Sequence, residues 1–335
     1  MTNWGWLRTL IARSSATFYS ALMERLTSDH PVPDHLRGGV VALGNFDGFH
    51  RGHQAVVGAA VAHGRATGRP VLVASFDPHP VRYFRPETPP FRLTTLDQRA
   101  ELFAAAGADA MLVFNFNDEL ANVQASAFIT DWLIGRAGAV HVVTGEDFTF
   151  GKSRKGNVAM LCEIGARHCM TAQAIGPVSD ARGAISSSRI RWALVEGDPV
   201  EAASLLTRPF RIQGLVQHGD KLGREIGFPT ANISLDRYLR PKYGIYAVRA
   251  LLPDGRTFDG AANVGIRPTF DPPKELLEVH LFNFAGDLYD QSVEIELIAF
   301  IRPEAKYDGL DALTAQIDKD CIEAKRILAA YSPVA

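Results

Sequence analysis

The sequence predicts a doubly wound α/β domain on a parallel sheet, followed by a smaller antiparallel β-barrel domain with a C-terminal helix. Three observations carry this reading. The chain of 335 residues is longer than one hydrophobic core usually organises. Up to about Ile175, short apolar runs alternate with Ala-rich stretches of helical spacing. From Arg208-Pro209-Phe210 onward these give way to β-branched and aromatic runs separated by Gly, Asp and Pro.

Residues 1–30 are expected to form an N-terminal extension. Arg8, Arg13, Ser14, Ser15 and Thr17, with no acidic residue before Glu24, resemble a weak transit-peptide composition, and a frayed extension is the preferred reading. Residues 40–43, 71–75, 111–114 and 140–143 read as buried parallel strands. Residues 53–67, 96–106 and 123–136 carry the apolar spacing of crossover helices. A helix over 188–206 closes this half. Strands are then expected at 211–217, 244–251, 258–264, 277–282 and 292–301, and a helix from 310 to about 328.

An apolar fraction of 47%, a charged fraction of 21% and a formal charge of −2 belong to an ordinary globular chain. Such a charge gathers neither nucleic acid nor anionic membrane, so a phosphate ligand must be held by local geometry. No run approaches the 18 or so apolar residues of a membrane span. Cys162, Cys169 and Cys321 show neither metal nor disulfide spacing, and are expected to be small buried hydrophobes in a reducing, cytoplasmic compartment. Oligomeric state is left open.

Each predicted strand of the first half ends in a polar or Gly/Pro-bearing segment, and in open α/β sheets such segments converge on one crevice. In Gly44-Asn45-Phe46-Asp47-Gly48-Phe49-His50-Arg51-Gly52-His53, the strand turns into a helix. Both histidines are expected in the first helical turn, where free backbone N–H groups attract phosphate. Imidazole donors and close-approach glycines there suit a triphosphate whose α-phosphate gains charge in the transition state, which points to nucleotidyl transfer; the alternatives are metal binding, which would need a third ligand, and capping or packing. Asp77 and His79 in Phe76-Asp77-Pro78-His79-Pro80 are ligand candidates, with a rigid proline turn the equal alternative. Residues 145–153 resemble a P-loop but place five residues between glycines where that motif has four. Phe148 and Phe150 there could face a flat ring, and Lys152, Arg154 and Lys155 could meet phosphate. Ser186-Ser187-Ser188-Arg189-Ile190-Arg191 places hydroxyls at a helix start, for which capping is the plain alternative. In the second half, Thr230 and Asn232 share one side of an extended segment and could hold a metal-bound nucleotide. Glu278 in Glu278-Val279-His280 is a candidate base for an alcohol, against exposed strand polarity at even odds.

Taken together, the residues from Gly44 to His53, Phe76 to Pro80, Gly145-Glu146-Asp147-Phe148, Ser186 to Arg191, Gly227-Phe228-Pro229-Thr230-Ala231-Asn232 and Glu278-x-His280 resemble the bacterial bifunctional riboflavin kinase/FAD synthetase family. The resemblance runs from about Gly39 to Cys321. It implies an FMN adenylyltransferase domain over 31–205 and a riboflavin kinase domain over 206–335. The first would join AMP from ATP to FMN with release of pyrophosphate, and the second would phosphorylate riboflavin with ATP and Mg2+. It further implies that Gly44, Asn45, Phe46, His50, His53, Ser187, Ser188 and Arg191 bind ATP for adenylylation, while Asp77, His79, Asp147, Phe148 and Phe150 serve FMN. Gly219, Lys221, Gly223, Thr230 and Asn232 would bind Mg-ATP for the kinase, and Glu278 would take the proton of the ribityl 5'-hydroxyl. The chain departs from the family where Ser188 replaces a common Thr, where Thr207 replaces the Gly of Gly-Arg-Pro-Tyr, and where Asp290 follows Tyr289 in place of a frequent Gly.

Overall fold

The computed structural model describes residues 23–218, 227–267 and 274–332. They fall into two compact units, residues 23–88 with 96–185, and residues 89–95 with those from 186 onward.

The first unit is built on a six-stranded parallel sheet of β1 (Glu24–Thr27), β2 (Val40–Leu43), β3 (Val71–Asp77), β4 (Ala110–Asn115), β5 (His141–Gly145) and β6 (Thr171–Ile175), in the order β1-β4-β3-β2-β5-β6. Alternate residues of the central strands feed opposite cores. Val41, Leu43, Leu72 and Ala74 meet Phe128, Ile129 and Leu133 on one face, while Val40, Ala42, Val71 and Val73 meet Val57, Ala60 and Phe103 on the other. Burial on both faces is why these strands read as unbroken apolar runs. Helix α1 (Arg51–Thr67) follows β2, the short α2 (Pro80–Phe84) follows β3, and α3 (Leu96–Ala105) leads to β4. The crossover expected over 123–136 is a short turn at Ala125–Ala127 continued by a π-helix, Phe128–Arg136.

Both sheet edges escape the sequence reading. β1, placed there in the extension, pairs in parallel with β4 from Glu24↔Ala110 to Thr27↔Val113. Its side chains, like those of β6, are mostly exposed, so neither strand carries an apolar run. The strand order reverses between β2 and β5, and the segments after their carboxyl ends, from Gly44 and from Gly145, therefore flank the crevice where such sheets bind ligands.

In the second unit, β7 (Phe210–Gln217), β8 (Ala231–Ser234), β9 (Gly244–Leu251), β10 (Thr257–Arg267), β11 (Lys274–Leu281) and β12 (Ser292–Arg302) form a closed antiparallel barrel, β8-β11-β10-β9-β12-β7. Pairing of β8 with β7 (Asn232↔Gln217, Ile233↔Val216) closes it. Ile233, Leu277 and Val264 lie side by side across three strands, fully buried, and belong to the apolar filling of the interior. On the outer face, Ala247, Ala261, Phe282 and Ile298 pack against Cys321, Ala324 and Leu328 of helix α6 (Leu310–Ala330). The bidentate pair Arg302–Asp320, at 2.8 and 2.6 Å, fixes that helix to β12.

The single helix expected over 188–206 is two, α4 (Ser187–Glu196) and α5 (Pro199–Leu206). Gly197, in the left-handed region at φ 82°, ends the first, and Asp198 caps the second by accepting the N–H of Glu201. Both helices group with the barrel, not with the parallel sheet where the sequence reading places them. The Lys242 N–H donates to the Leu194 carbonyl at 2.9 Å. The expectation of three buried cysteines holds for Cys321 alone: Cys162 and Cys169 are exposed thiols.

Candidate active sites

In the first unit, the segment after β2 reaches α1 through a strained path. Phe46 (φ 50°) and Phe49 (φ 47°) both adopt left-handed backbone, a cost that marks sites where the surroundings impose a conformation. The segment is held from below. Arg99, buried on α3, donates to the Asn45 carbonyl and to Ser75 Oγ, each at 3.3 Å, and Thr144 Oγ1 donates to the Leu43 carbonyl at 2.8 Å. Neither residue was singled out from the sequence. For Arg99 the signal was there: it stands between Leu96 and Phe103 on the inward stripe of a helix, where a cation needs a partner.

His50 is not in the first helical turn, as the spacing suggested, but is the N-cap of α1. Its Nδ1 accepts the N–H groups of Gly52 (3.2 Å) and His53 (3.4 Å). A ring nitrogen that accepts carries no proton, so the neutral ring keeps its hydrogen on Nε2. His53 lies in the first turn, stacked on His50 with centroids 3.6 Å apart and edged by Phe46 at 5.3 Å. A Cβ at Gly52 would lie 3.1 to 3.2 Å from two atoms of the His50 ring, so glycine there admits the cap. Asn45 Oδ1 is buried and accepts no hydrogen bond among the described residues, an orphan that a ligand donor would satisfy. Gly44 is buried beneath the Phe46 ring.

After β3, a cis peptide joins Asp77 to Pro78, and His79 caps α2 by accepting the Val81 N–H at 3.2 Å. Next to these, Phe76 stacks on Phe148 (6.5 Å), and Tyr83, Phe84 and Phe116 form a second aromatic group reaching the surface, with Phe84 63% exposed. The two phenylalanines of residues 145–153 differ. Phe148 is half-buried beside exposed Asp147, whereas Phe150 is buried against Phe128 under the close approach of Gly156. Phe150 therefore supports the core and offers no face to a flat ring, contrary to expectation.

Ser187, Ser188 and Arg191 belong to the second unit. Ser186, not these serines, is the N-cap of α4, accepting the Arg189 N–H. Arg191 Nε donates to the Phe91 carbonyl at 2.8 Å.

On the barrel, Asn232 of β8 faces Glu278 of β11 directly, and Glu278 faces Asn263 of β10. Directly paired residues project to the same side, so these three form one row. That side is the outer one, shared with Ala261 two residues along β10 from Asn263. Thr230 precedes β8, and its neighbour Pro229 is pinned by His280, whose Nδ1 donates to the Pro229 carbonyl at 3.0 Å. Glu275, nearby on the same strand, is already committed to Arg240 (2.6 Å) and Tyr243. Burial works to raise its carboxyl, yet hydrogen bonds from Tyr243 and Arg240 outweigh burial and hold its pKa below the usual range. Glu278 is thus the carboxylate of this strand placed in the Asn232 row. Gly219, Lys221 and Gly223 lie outside the described residues.

A helix start capped by His50 at the switch point of a doubly wound sheet, and a separate polar row on a closed barrel, stand in a chain whose two halves match two families of nucleotide-dependent transferases. The model of the FAD synthetase family matches residues 32–189 and that of the riboflavin kinase family matches residues 206–328. The bifunctional riboflavin kinase/FMN adenylyltransferase of Escherichia coli (strain K12) is 38% identical over 296 residues, 88% of this chain and 95% of the relative. Those of Pseudomonas fluorescens (40% over 301 residues, 90% and 96%) and Bacillus subtilis (strain 168; 38% over 304 residues, 89% and 95%) match similarly. A crystal structure described as a macrolide-efflux protein from Streptococcus pneumoniae superposes with a TM-score of 0.80 at 29% identity, covering 92% of this chain and 99% of that one. Among the described residues here, no helix is long and apolar enough to cross a membrane. The chain belongs to the bifunctional riboflavin kinase/FMN adenylyltransferase family.

Proposed function

We propose that the chain phosphorylates riboflavin at Glu278 and adenylylates the resulting FMN at the His50–His53 helix start, residues 206–335 serving the first step and residues 31–205 the second. The observation that carries this is the His50 cap at the sheet's switch point: with its Nδ1 engaged by the Gly52 and His53 N–H groups, it presents a proton-bearing Nε2 at the positive end of helix α1, where a triphosphate would sit. FMN brings an ionised phosphate oxygen, so AMP transfer needs no protein nucleophile. Positioning and charge stabilisation suffice, with His50 and His53 countering the charge that grows around the α-phosphate. Asn45, Gly44 and Phe46 shape the nucleotide side, and Asp77, His79, Asp147 and Phe148 the FMN side.

In the kinase centre, Glu278 accepts the proton of the 5'-hydroxyl as its oxygen attacks the γ-phosphorus and the bond to the β,γ-bridging oxygen breaks, releasing ADP; such general-base assistance is worth about 10²- to 10⁴-fold. Among the described residues no group of three or more His, Cys, Asp or Glu side chains is placed to hold a metal. The Thr230 hydroxyl and the Asn232 amide oxygen are hard donors that fit Mg2+ arriving with ATP, which would supply further phosphate ligands. When bound, Mg2+ neutralises charge on the transferring phosphates. Exposed free thiols at Cys162 and Cys169 suit a cytoplasmic setting.

The test is incubation of the purified protein with riboflavin, ATP and Mg2+, with chromatographic separation of flavins over time. FMN should appear first and FAD at its expense; a folded protein that forms neither would sink the assignment.

A further inference from the structure

The row Asn232–Glu278–Asn263 spans three adjacent strands, successive members separated by the inter-strand spacing of about 4.8 Å. Its third member was not among the candidates the sequence offered. Asn263 donates through Nδ2 to Glu304 Oε1 at 3.2 Å, which fixes which end of the amide is oxygen. Oδ1 is buried and accepts no hydrogen bond among the described residues. A buried acceptor without a donor is costly and uncommon, so its persistence beside a catalytic carboxylate points to a missing ligand. The arrangement is built for it: a Cβ at Gly265 would lie 2.0 Å from Glu304 Oε1, so glycine at 265 is what lets Glu304 reach Asn263.

An amide oxygen can only accept, so the ligand atom that meets it must carry hydrogen. Phosphate oxygens at neutral pH are excluded. The N–H donors of adenine and of the isoalloxazine lie at the far ends of their molecules from the reacting hydroxyl and γ-phosphate, so beside Glu278 the remaining donors are hydroxyl groups and metal-bound water. The order of the row separates them. Asn232 and Thr230 stand on one side of Glu278, where the nucleotide and its cation belong, and Asn263 stands on the other, the side left for the alcohol. We propose that Asn263 is a substrate-positioning residue of the kinase centre, its Oδ1 accepting a hydrogen bond from a ribityl hydroxyl of riboflavin. The proposal rests on the kinase reading above and deepens it: the polyol chain is recognised through its hydroxyls, and so the terminal one is brought to Glu278.

The experiment compares wild type, Asn263→Ala and Glu304→Ala as full chains in FMN formation, with riboflavin and with analogues each lacking one ribityl hydroxyl. Asn263→Ala should raise the riboflavin KM about tenfold or more, with kcat within threefold and the KM for ATP and the Mg2+ half-saturation within twofold. Glu304→Ala, which frees the amide to rotate but keeps its oxygen, should raise the riboflavin KM less. One deoxy analogue should be poor for wild type and turned over equally well by Asn263→Ala, because the lost contact is the same. Equal turnover of that analogue also shows that the variant barrel is folded; if Asn263→Ala fails to fold, the analogue series on wild type together with Glu304→Ala decides. An unchanged riboflavin KM, an effect on ATP or Mg2+ instead, or a uniform loss on every analogue overturns the proposal. Full FMN formation by Glu278→Ala would instead overturn the kinase reading on which it rests.

Discussion

His50 holds His53 from two directions: its Nδ1 accepts the backbone N–H of His53, and its ring lies flat on the His53 ring, centroids 3.6 Å apart and 22° from parallel. One imidazole thereby starts the helix, orients the second imidazole and is itself left with the hydrogen on Nε2. Capping and the proposed catalytic role are separable by substitution. Asn is a good N-cap, so His50→Asn should keep the thermal midpoint within a few degrees, while His50→Ala should lose about 1 kcal/mol. Both should lower FAD formation from supplied FMN about 10²- to 10³-fold, the scale of losing one donor to developing charge. FMN formation from riboflavin should stay within twofold. An Asn variant with full FAD formation would show that the ring only caps.

Gly52→Ala separates stability from activity in another way. Alanine favours helix over glycine by up to about 1 kcal/mol. Its Cβ, though, would press on the His50 ring at 3.1 to 3.2 Å, tighter than side chains normally tolerate. The variant should melt no lower than wild type and still form FAD at least tenfold more slowly. A wild-type rate would mean that the ring can shift without consequence.

Glu278→Gln preserves shape and removes the proposed proton acceptor. FMN formation should fall about 10²- to 10⁴-fold while FAD formation from supplied FMN is untouched. His53→Ala should do the reverse. Loss of both activities in both variants, with circular dichroism unchanged, would show that the two centres are not independent.

Much of the fold was legible because its strands satisfy one rule at a time. The central strands of the parallel sheet are buried on both faces and announce themselves as apolar runs; β1 and β6 sit at the edges, expose most side chains and leave no such trace. β8 is four residues long and carries Asn232 on its outer side, so only the spacing of Thr230 and Asn232 hinted at it. The motif residues of the sites were likewise visible as types and spacings. What spacing cannot show is which partner a group already has. His50 and His79 turn out to accept helix N–H groups, Phe150 is sealed in the core, and Arg99 and Asn263 matter through contacts made at sequence separations of 54 and 41 residues.

Two departures from the family's usual glycines land on left-handed backbone, Thr207 at φ 62° and Asp290 at φ 59°. Such a conformation costs an L-residue roughly 1–2 kcal/mol, more readily borne by Asp than by a β-branched Thr. Glycine removes that cost and returns part of it as unfolded-state entropy. Thr207→Gly should therefore stabilise by about 0.5–1 kcal/mol in urea unfolding, and Asp290→Gly by less, with both activities unchanged. Destabilisation by Thr207→Gly would mean that its Oγ1 contact to the Leu206 carbonyl, at 2.6 Å, outweighs the backbone term.

The second stacked histidine pair lies away from either centre and makes a prediction about pH. His141 on β5 is 7% exposed, its Nδ1 is 2.7 Å from Thr171 Oγ1, and its ring stacks on His63 of α1 at 3.7 Å. Burial, and secondarily the charge His63 can carry, push its pKa below the ordinary value of 6.5. With the folded value below the unfolded one, the unfolded chain binds more protons in the interval between them, so stability rises with pH there. The contribution is complete above about pH 6.5 and is lost as pH falls toward the folded pKa. Urea midpoints at pH 7.5 and 5.5 should thus drop further for wild type than for His141→Gln, which keeps a polar side chain but cannot titrate. Equal drops in the two proteins would show that His141 takes up its proton without opposing the fold.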